Sequence, residues 1–167
     1  MDSRQRKGIA ALVLSTAALV GIMKMEGFTE EAVIPVKGDV PTIGYGSTKG
    51  VKLGDTITEP EARSRIKREV RDEFEAGIQR CAGDVLVTQG EYDSLISLAY
   101  NVGFRKVCNS TMMQRFKQGR YAEGCEQIKH WTFYQGKNCR LPQYKRLCGG
   151  LVTRRDKEYA MCMGEAG

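Results

Sequence analysis

Residues 26–48 read EGFTEEAVIPVKGDVPTIGYGST. Glu26 closes an apolar run, and Gly27 is suited to end a helix there in a left-handed cap. Two prolines and a Gly38-Asp39 turn follow, and the stretch closes on the β-prone Thr42-Ile43-Gly44-Tyr45-Gly46. The last carbonyls of a helix carry partial negative charge, so a carboxylate at that end sits in an unfavourable field. Such a group is suited to deliver a proton, as a general acid must. Asp39, across a tight loop, supplies a second carboxylate. Two carboxyl groups in unlike surroundings are the usual equipment for breaking a glycosidic bond.

Downstream, Thr58-Glu59-Pro60-Glu61 has the form of a capped helix start, with an N-cap threonine and a glutamate three residues on. Ala62, Ile66, Val70, Phe74 and Ile78 recur every four residues, which predicts one amphipathic helix to about Arg80. A second capping box, Thr88-Gln89-Gly90-Glu91, opens a more apolar helix that stops at Gly103 and reads as the central buried one. Asn109-Ser110 can cap a helix from Thr111 to Lys117, ended by Gly119, and Tyr121 to Trp131 continues helically. Gly149-Gly150 is expected to break the chain before a last helix, Leu151 to Met163. There is no internal repeat and no low-complexity linker. The expected architecture is α+β and mostly helical, with a small β-hairpin lobe, a larger helical lobe and a cleft between them.

With 26 Lys and Arg against 20 Asp and Glu, the 167-residue chain carries a formal charge of +6. That balance suits an anionic polymer, either nucleic acid or bacterial envelope. No helix shows a dense basic stripe interleaved with aromatics, which argues against nucleic acid. His130 is the single histidine, and no His-x-x-x-His or Cys-x-x-Cys spacing occurs, so no metal site and no cofactor are expected. His130 reads as a packing or surface residue and Trp131 as core. Tyr45, Tyr100 and Asn101 are the candidates for contacting sugar rings, and Tyr100-Asn101 equally fits a brace for the helix end. Arg154-Arg155 reads as a solvated helix face rather than a contact to wall anions.

Upstream of Glu26, basic residues Arg4, Arg6 and Lys7 precede an apolar run from Gly8 to Met23. As one helix the run would span about 24 Å, short of a hydrocarbon core of about 30 Å. Its strong members (Ile9, Leu12, Val13, Leu14, Leu19, Val20, Ile22) contribute about 3 kcal/mol of insertion free energy before the alanines, glycines, serines and threonines subtract from it. The basic flank orients it with the N-terminus inside and the remainder outside. A cleaved signal peptide ending near Ser15-Thr16-Ala17 and a helix of the soluble core both fit the run. Six cysteines beside such a signal point to an oxidising compartment and allow fifteen pairings.

The motifs Glu26-Gly27, Thr42-Ile43-Gly44-Tyr45-Gly46-Ser47-Thr48, Tyr100-Asn101-Val102-Gly103, Ser110-Thr111, Trp131 and Gly150-Leu151-Val152-Thr153-Arg154-Arg155 resemble those of phage-type lysozymes, glycoside hydrolase family 24. They cover most of the chain after residue 25. The resemblance implies a lysozyme-like fold and hydrolysis of the β-1,4 bond between N-acetylmuramic acid and N-acetylglucosamine in peptidoglycan. Glu26 would be the acid and Thr42 would position the water. The family's loop acid corresponds to Val36, so Asp39, three positions before Thr42, is a candidate by proximity rather than by match. Carboxyl groups about 6.5–9.5 Å apart would imply inversion. A lytic transglycosylase and a tethered wall-binding protein without turnover are the alternatives.

A subset of the resembled endolysins carries a signal-anchor-release segment, which inserts and later escapes. The weak run and the nearness of Glu26 to it favour that reading here. Residues 1–25 are then the N-terminal apolar segment and 26–167 the catalytic domain of a monomer, tethered at the inner membrane and later acting in the periplasm. The resemblance also favours the pairs Cys81–Cys108, Cys125–Cys162 and Cys139–Cys148.

Overall fold

The computed structural model describes residues 5–165. β1 (Lys7–Gly8) and a 3-10 turn (Ile9–Ala11) lead to α1 (Thr16–Glu26). β2 (Thr29–Val33) and β3 (Thr42–Gly44) follow, then α2 (Glu59–Glu69), a π-helical segment (Val70–Glu75) and α3 (Ala76–Ala82). β4 (Leu86–Val87), α4 (Gln89–Val102), α5 (Phe104–Cys108), α6 (Thr111–Lys117), α7 (Tyr121–Glu126) and a 3-10 turn (Gln127–His130) come next. β5 (Phe133–Tyr134), β6 (Lys137–Asn138), a 3-10 turn (Pro142–Tyr144) and α8 (Lys145–Cys162) complete the order. The architecture is α+β and mostly helical, and its β1–β4, β2–β3 and β5–β6 pairs are short two-stranded ladders. The chain forms two compact units, Thr16–Glu73 and the residues up to Ser15 together with those from Phe74 on.

In the Thr16–Glu73 unit, β2 and β3 pair antiparallel, with Val33 opposite Thr42 and Thr29 opposite Gly44. More residues of β2 than of β3 lie between those two pairs, so β2 bulges. Its other edge is covered: Ala32 N–H donates to the Asp55 carbonyl (3.0 Å), and Ile57 N–H to that of Glu30 (2.9 Å). α2 then starts on the expected capping box, the Thr58 hydroxyl accepting from Glu61 N–H and the Glu61 carboxylate from Thr58 N–H.

The single amphipathic helix expected to about Arg80 is instead α2, a π segment and α3. Four residues rotate an α-helix by about 400°, so a strict four-residue recurrence drifts by about 40° per step. One wider π turn absorbs the surplus, and Ala62, Ile66, Val70 and Ile78 are all buried.

The other unit is built on α4, whose residues from Glu91 to Ala99 are all buried. Its capping box closes as expected, Thr88 with Glu91, and Gly103 ends it at φ +96°. α8 lies against its start. A Cβ at Gly90 would stand 2.4 Å from the Met161 carbonyl oxygen, so only glycine permits this approach. Disulfides join Cys81 to Cys108, Cys125 to Cys162 and Cys139 to Cys148.

Two expectations are corrected in this unit. α8 runs through Gly149-Gly150, and its non-helical residue is Cys148 (φ −147°, ψ 23°). A glycine weakens a helix by about 1 kcal/mol but does not by itself stop one. The β5–β6 hairpin was not expected. It turns on Gln135 and Gly136, both at positive φ, as a two-residue turn of this hand requires.

The apolar run from Gly8 to Met23 is likewise not one helix. Lys7 and Gly8 pair with Val87 and Leu86, and Ile9 N–H donates to the Val85 carbonyl (3.0 Å). Beyond the 3-10 turn the backbone is satisfied by side chains. The Leu12 and Val13 carbonyls accept from the amides of Gln79 and Gln89. Leu14 N–H donates to the Glu75 carboxylate, and Ser15 gives both N–H and hydroxyl to Asp93. Polar partners thus replace the helical hydrogen bonds that residues 12–15 would otherwise need. Helix resumes only at Thr16, and among the described residues no helix is long and apolar enough to cross a membrane.

Candidate active site

Glu26 is the last residue of α1, and the chain turns away at once. Gly27, at φ +72°, donates its N–H to the Met23 carbonyl (3.0 Å) in the left-handed cap the sequence called for. Across from Glu26 lies the loop that follows β3. Ile43 and Ser47 exchange backbone hydrogen bonds (2.9 and 3.0 Å), which pinches Gly44-Tyr45-Gly46 into a tight tip. Gly46 stands at φ +85°, and a Cβ there would come within 3.2 Å of Glu26 Oε2. The helix end and the glycine loop are therefore in direct apposition. Thr42, at the start of β3, is half-buried and donates its hydroxyl to the Val33 carbonyl (3.3 Å).

The loop is held from α2. The Ser47 hydroxyl donates to Glu69 (2.7 Å), whose other oxygen accepts from Arg65 (2.8 Å), while Arg65 also reaches the Lys49 carbonyl (2.6 Å). Tyr45 was expected to offer a ring face to sugar. It is instead 6% exposed, packed on Phe28 with ring centroids 5.5 Å apart, and its hydroxyl donates to Glu59 (2.9 Å). Burial first, and the Glu59 carboxylate second, push that phenol above its ordinary range. Arg63 and then Tyr45 hold the Glu59 carboxyl below its own. Tyr45 therefore anchors the loop. Asp39 lies in the exposed turn of the β2–β3 connection, where its N–H donates to the Val36 carbonyl (2.9 Å) beside Gly38 at φ +93°.

Residues 23–158 match the profile of the family described as Phage lysozyme. This chain belongs to that family. The SAR-endolysin of Pseudomonas phage phiKMV is 36% identical over 148 residues, 88% of this chain and 86% of that protein. The SAR-endolysin of Enterobacteria phage P21 is 28% identical over 162 residues, 93% and 90% of the two chains. Among solved structures, the endolysin from Escherichia coli O157:H7 phage FAHEc1 superposes with a TM-score of 0.76 at 30% identity, covering 93% of this chain and 96% of its own. The protein is a lysozyme-type endolysin, a glycoside hydrolase of peptidoglycan.

The remaining candidates of this phage lysozyme lie in the other unit. Tyr100 packs on Phe74 with centroids 5.0 Å apart. Asn101 accepts a hydrogen bond from the Arg155 guanidinium. Arg154 and Arg155, expected on a solvated face, are buried, with Arg155 fully so. Arg155 also pairs with Glu158 and donates to the Trp131 carbonyl (2.9 Å), while Ser97 donates to Glu158 (2.7 Å). The charge is retained inside because its donors are used, which is the condition for burying a guanidinium. Trp131, expected in the core, is half-buried and lines a groove of about 610 Å³ with Arg105, Lys106, Ser110 and the exposed His130.

Sequence reasoning missed the Ser47–Glu69–Arg65 and Tyr45–Glu59–Arg63 ties. Their one legible trace is a pair of four-residue spacings on α2, Glu59 to Arg63 and Arg65 to Glu69.

Proposed function

We propose that Glu26 protonates the leaving oxygen of the β-1,4 bond between N-acetylmuramic acid and N-acetylglucosamine. Asp39, with Thr42, orients and activates a water on the opposite face of the sugar, so the anomeric configuration inverts. Tyr100 and Asn101 contact the glycan. The observation that supports the reading is the apposition of Glu26 Oε2 to the Gly46 backbone, in the loop that follows the strand bearing Thr42.

The enzyme acts as a monomer in the periplasm, after an interval in which residues 1–25 tether it to the inner membrane with the N-terminus inside. Three things support this. Relatives from phages phiKMV and P21 carry the name SAR-endolysin. The run is weakly apolar. Residues 12–15 have a resting place outside a bilayer, their backbone held by Glu75, Gln79, Gln89 and Asp93.

The decisive experiment is turbidity loss of outer-membrane-permeabilised cells with wild type and Glu26→Gln. The amide preserves shape and removes the transferable proton. Activity is expected to fall at least about a hundredfold with melting unchanged. Lysis at the wild-type rate by Glu26→Gln removes the assignment of the acid.

A further inference from the structure

Residues 133–147, FYQGKNCRLPQYKRL, carry Lys137, Arg140, Lys145 and Arg146 and no acidic residue. The same segment exposes Phe133 (60%), Leu141 (42%) and Leu147 (52%). It cannot fold these side chains away. The β5–β6 turn holds one end, and Cys139–Cys148, with Cα atoms 5.3 Å apart, ties the rest into a short excursion. Cys139 N–H is further fixed to the Thr132 carbonyl (2.8 Å). Arg140 is paired with Asp156 (3.0 Å), whereas Lys137, Lys145 and Arg146 make no ion pair among the described residues.

Large apolar side chains in water are unfavourable, and a rigid group of them rimmed by charge marks a surface that meets something. Here the segment's own charged residues are all cationic, and only Arg140 is neutralised, by Asp156. Aromatic and aliphatic side chains among lysines and arginines suit a membrane interface, where headgroup phosphates take the charge and the acyl boundary takes the apolar groups. A wall polymer could answer the charge, but it offers Phe133, Leu141 and Leu147 no apolar layer. We propose that this disulfide-tied excursion is a docking surface for an anionic phospholipid bilayer, separate from the N-terminal segment.

The test uses the full chain with its disulfides intact, floated with vesicles of phosphatidylethanolamine and phosphatidylglycerol, or of phosphatidylcholine alone. Wild type should float with the anionic vesicles and be released by high salt. Lys145→Glu with Arg146→Glu should weaken that binding about tenfold or more, and Phe133→Ser severalfold. Both variants alter exposed side chains and should hydrolyse lipid-free sacculi at the wild-type rate. That readout keeps a failure of docking distinct from a failure of catalysis. Unchanged flotation of both variants, or equal binding to phosphatidylcholine, overturns the proposal. So does a loss of sacculus binding with vesicle binding intact, which would assign the surface to wall polymer.

Discussion

Gly46 is the loop glycine whose constraint bears directly on Glu26. Its φ of +85° lies where an L side chain is strained, and a Cβ would press on Glu26 Oε2 at 3.2 Å. Gly46→Ala should therefore cost about 1 kcal/mol of stability from the backbone. With Glu26 as the proposed acid, it should also lower turnover by about tenfold or more, because an acid displaced by even part of an ångström loses its alignment. Kinetics on purified sacculi beside a thermal melt would check both effects. Full turnover at an unchanged melting temperature would mean that Gly46 does not set the position of the acid. The glycine-rich motif was plain in the sequence. Its target, Glu26, is far along the chain, and only the pinch between Ile43 and Ser47 turns the glycine toward it.

Helix starts were the most legible elements. Thr58 with Glu61, and Thr88 with Glu91, form the boxes their spacing called for, because capping is settled within four residues. The two boxes differ in surroundings. Glu61 is solvent-exposed, whereas Glu91 is fully buried and also accepts from Arg6 (2.8 Å). Thr88→Ala should cost about 1 kcal/mol or more, and Thr58→Ala less, since water can replace the lost partner at the exposed box. Paired denaturant melts would show it, and equal losses would mean that burial adds nothing to the Thr88 cap. The π segment and the Cys148 kink were not legible: the first answers to packing, and the second sits at one end of the Cys139–Cys148 bridge, a pairing that local preference does not dictate.

At the scale of the molecule, covalent ties and topology dominate. The bridges span sequence separations of 27, 37 and 9 residues. In the chain-entropy account the two longer loops contribute about 3–4 kcal/mol each, and the short one somewhat less. Together they rival the whole stability of an ordinary domain, about 5–15 kcal/mol. Reduction should lower the melting temperature by about 20 °C or more. An unchanged melt after all six thiols become titratable would show that packing alone holds the fold. The N-terminal run yields a second expectation. Ala10, Ala11 and Ala17 are exposed, so leucine there leaves the core alone while strengthening insertion by about 2 kcal/mol. Membrane fractionation and lysis timing of that triple variant should show longer retention and delayed lysis. On-schedule lysis by fully membrane-bound protein would mean that release is not the switch.

The order of helices, the two capping boxes, the acid at a helix end and the β-prone glycine loop could all be read along the chain. Each depends on contacts among residues close in sequence, whose energies are fixed by local geometry. The apolar run from Gly8 to Met23 shows the opposite case. Its composition permits helix, and nothing local says that Glu75, Gln79, Gln89 and Asp93 will take its backbone groups instead. The same holds for Arg155, which looked like a surface cation until Asn101, Glu158 and the Trp131 carbonyl supplied partners for its buried donors. A hydrogen bond between residues distant in sequence has no signature in either neighbourhood, so burial of a charge and unwinding of an apolar run both had to wait for the folded arrangement.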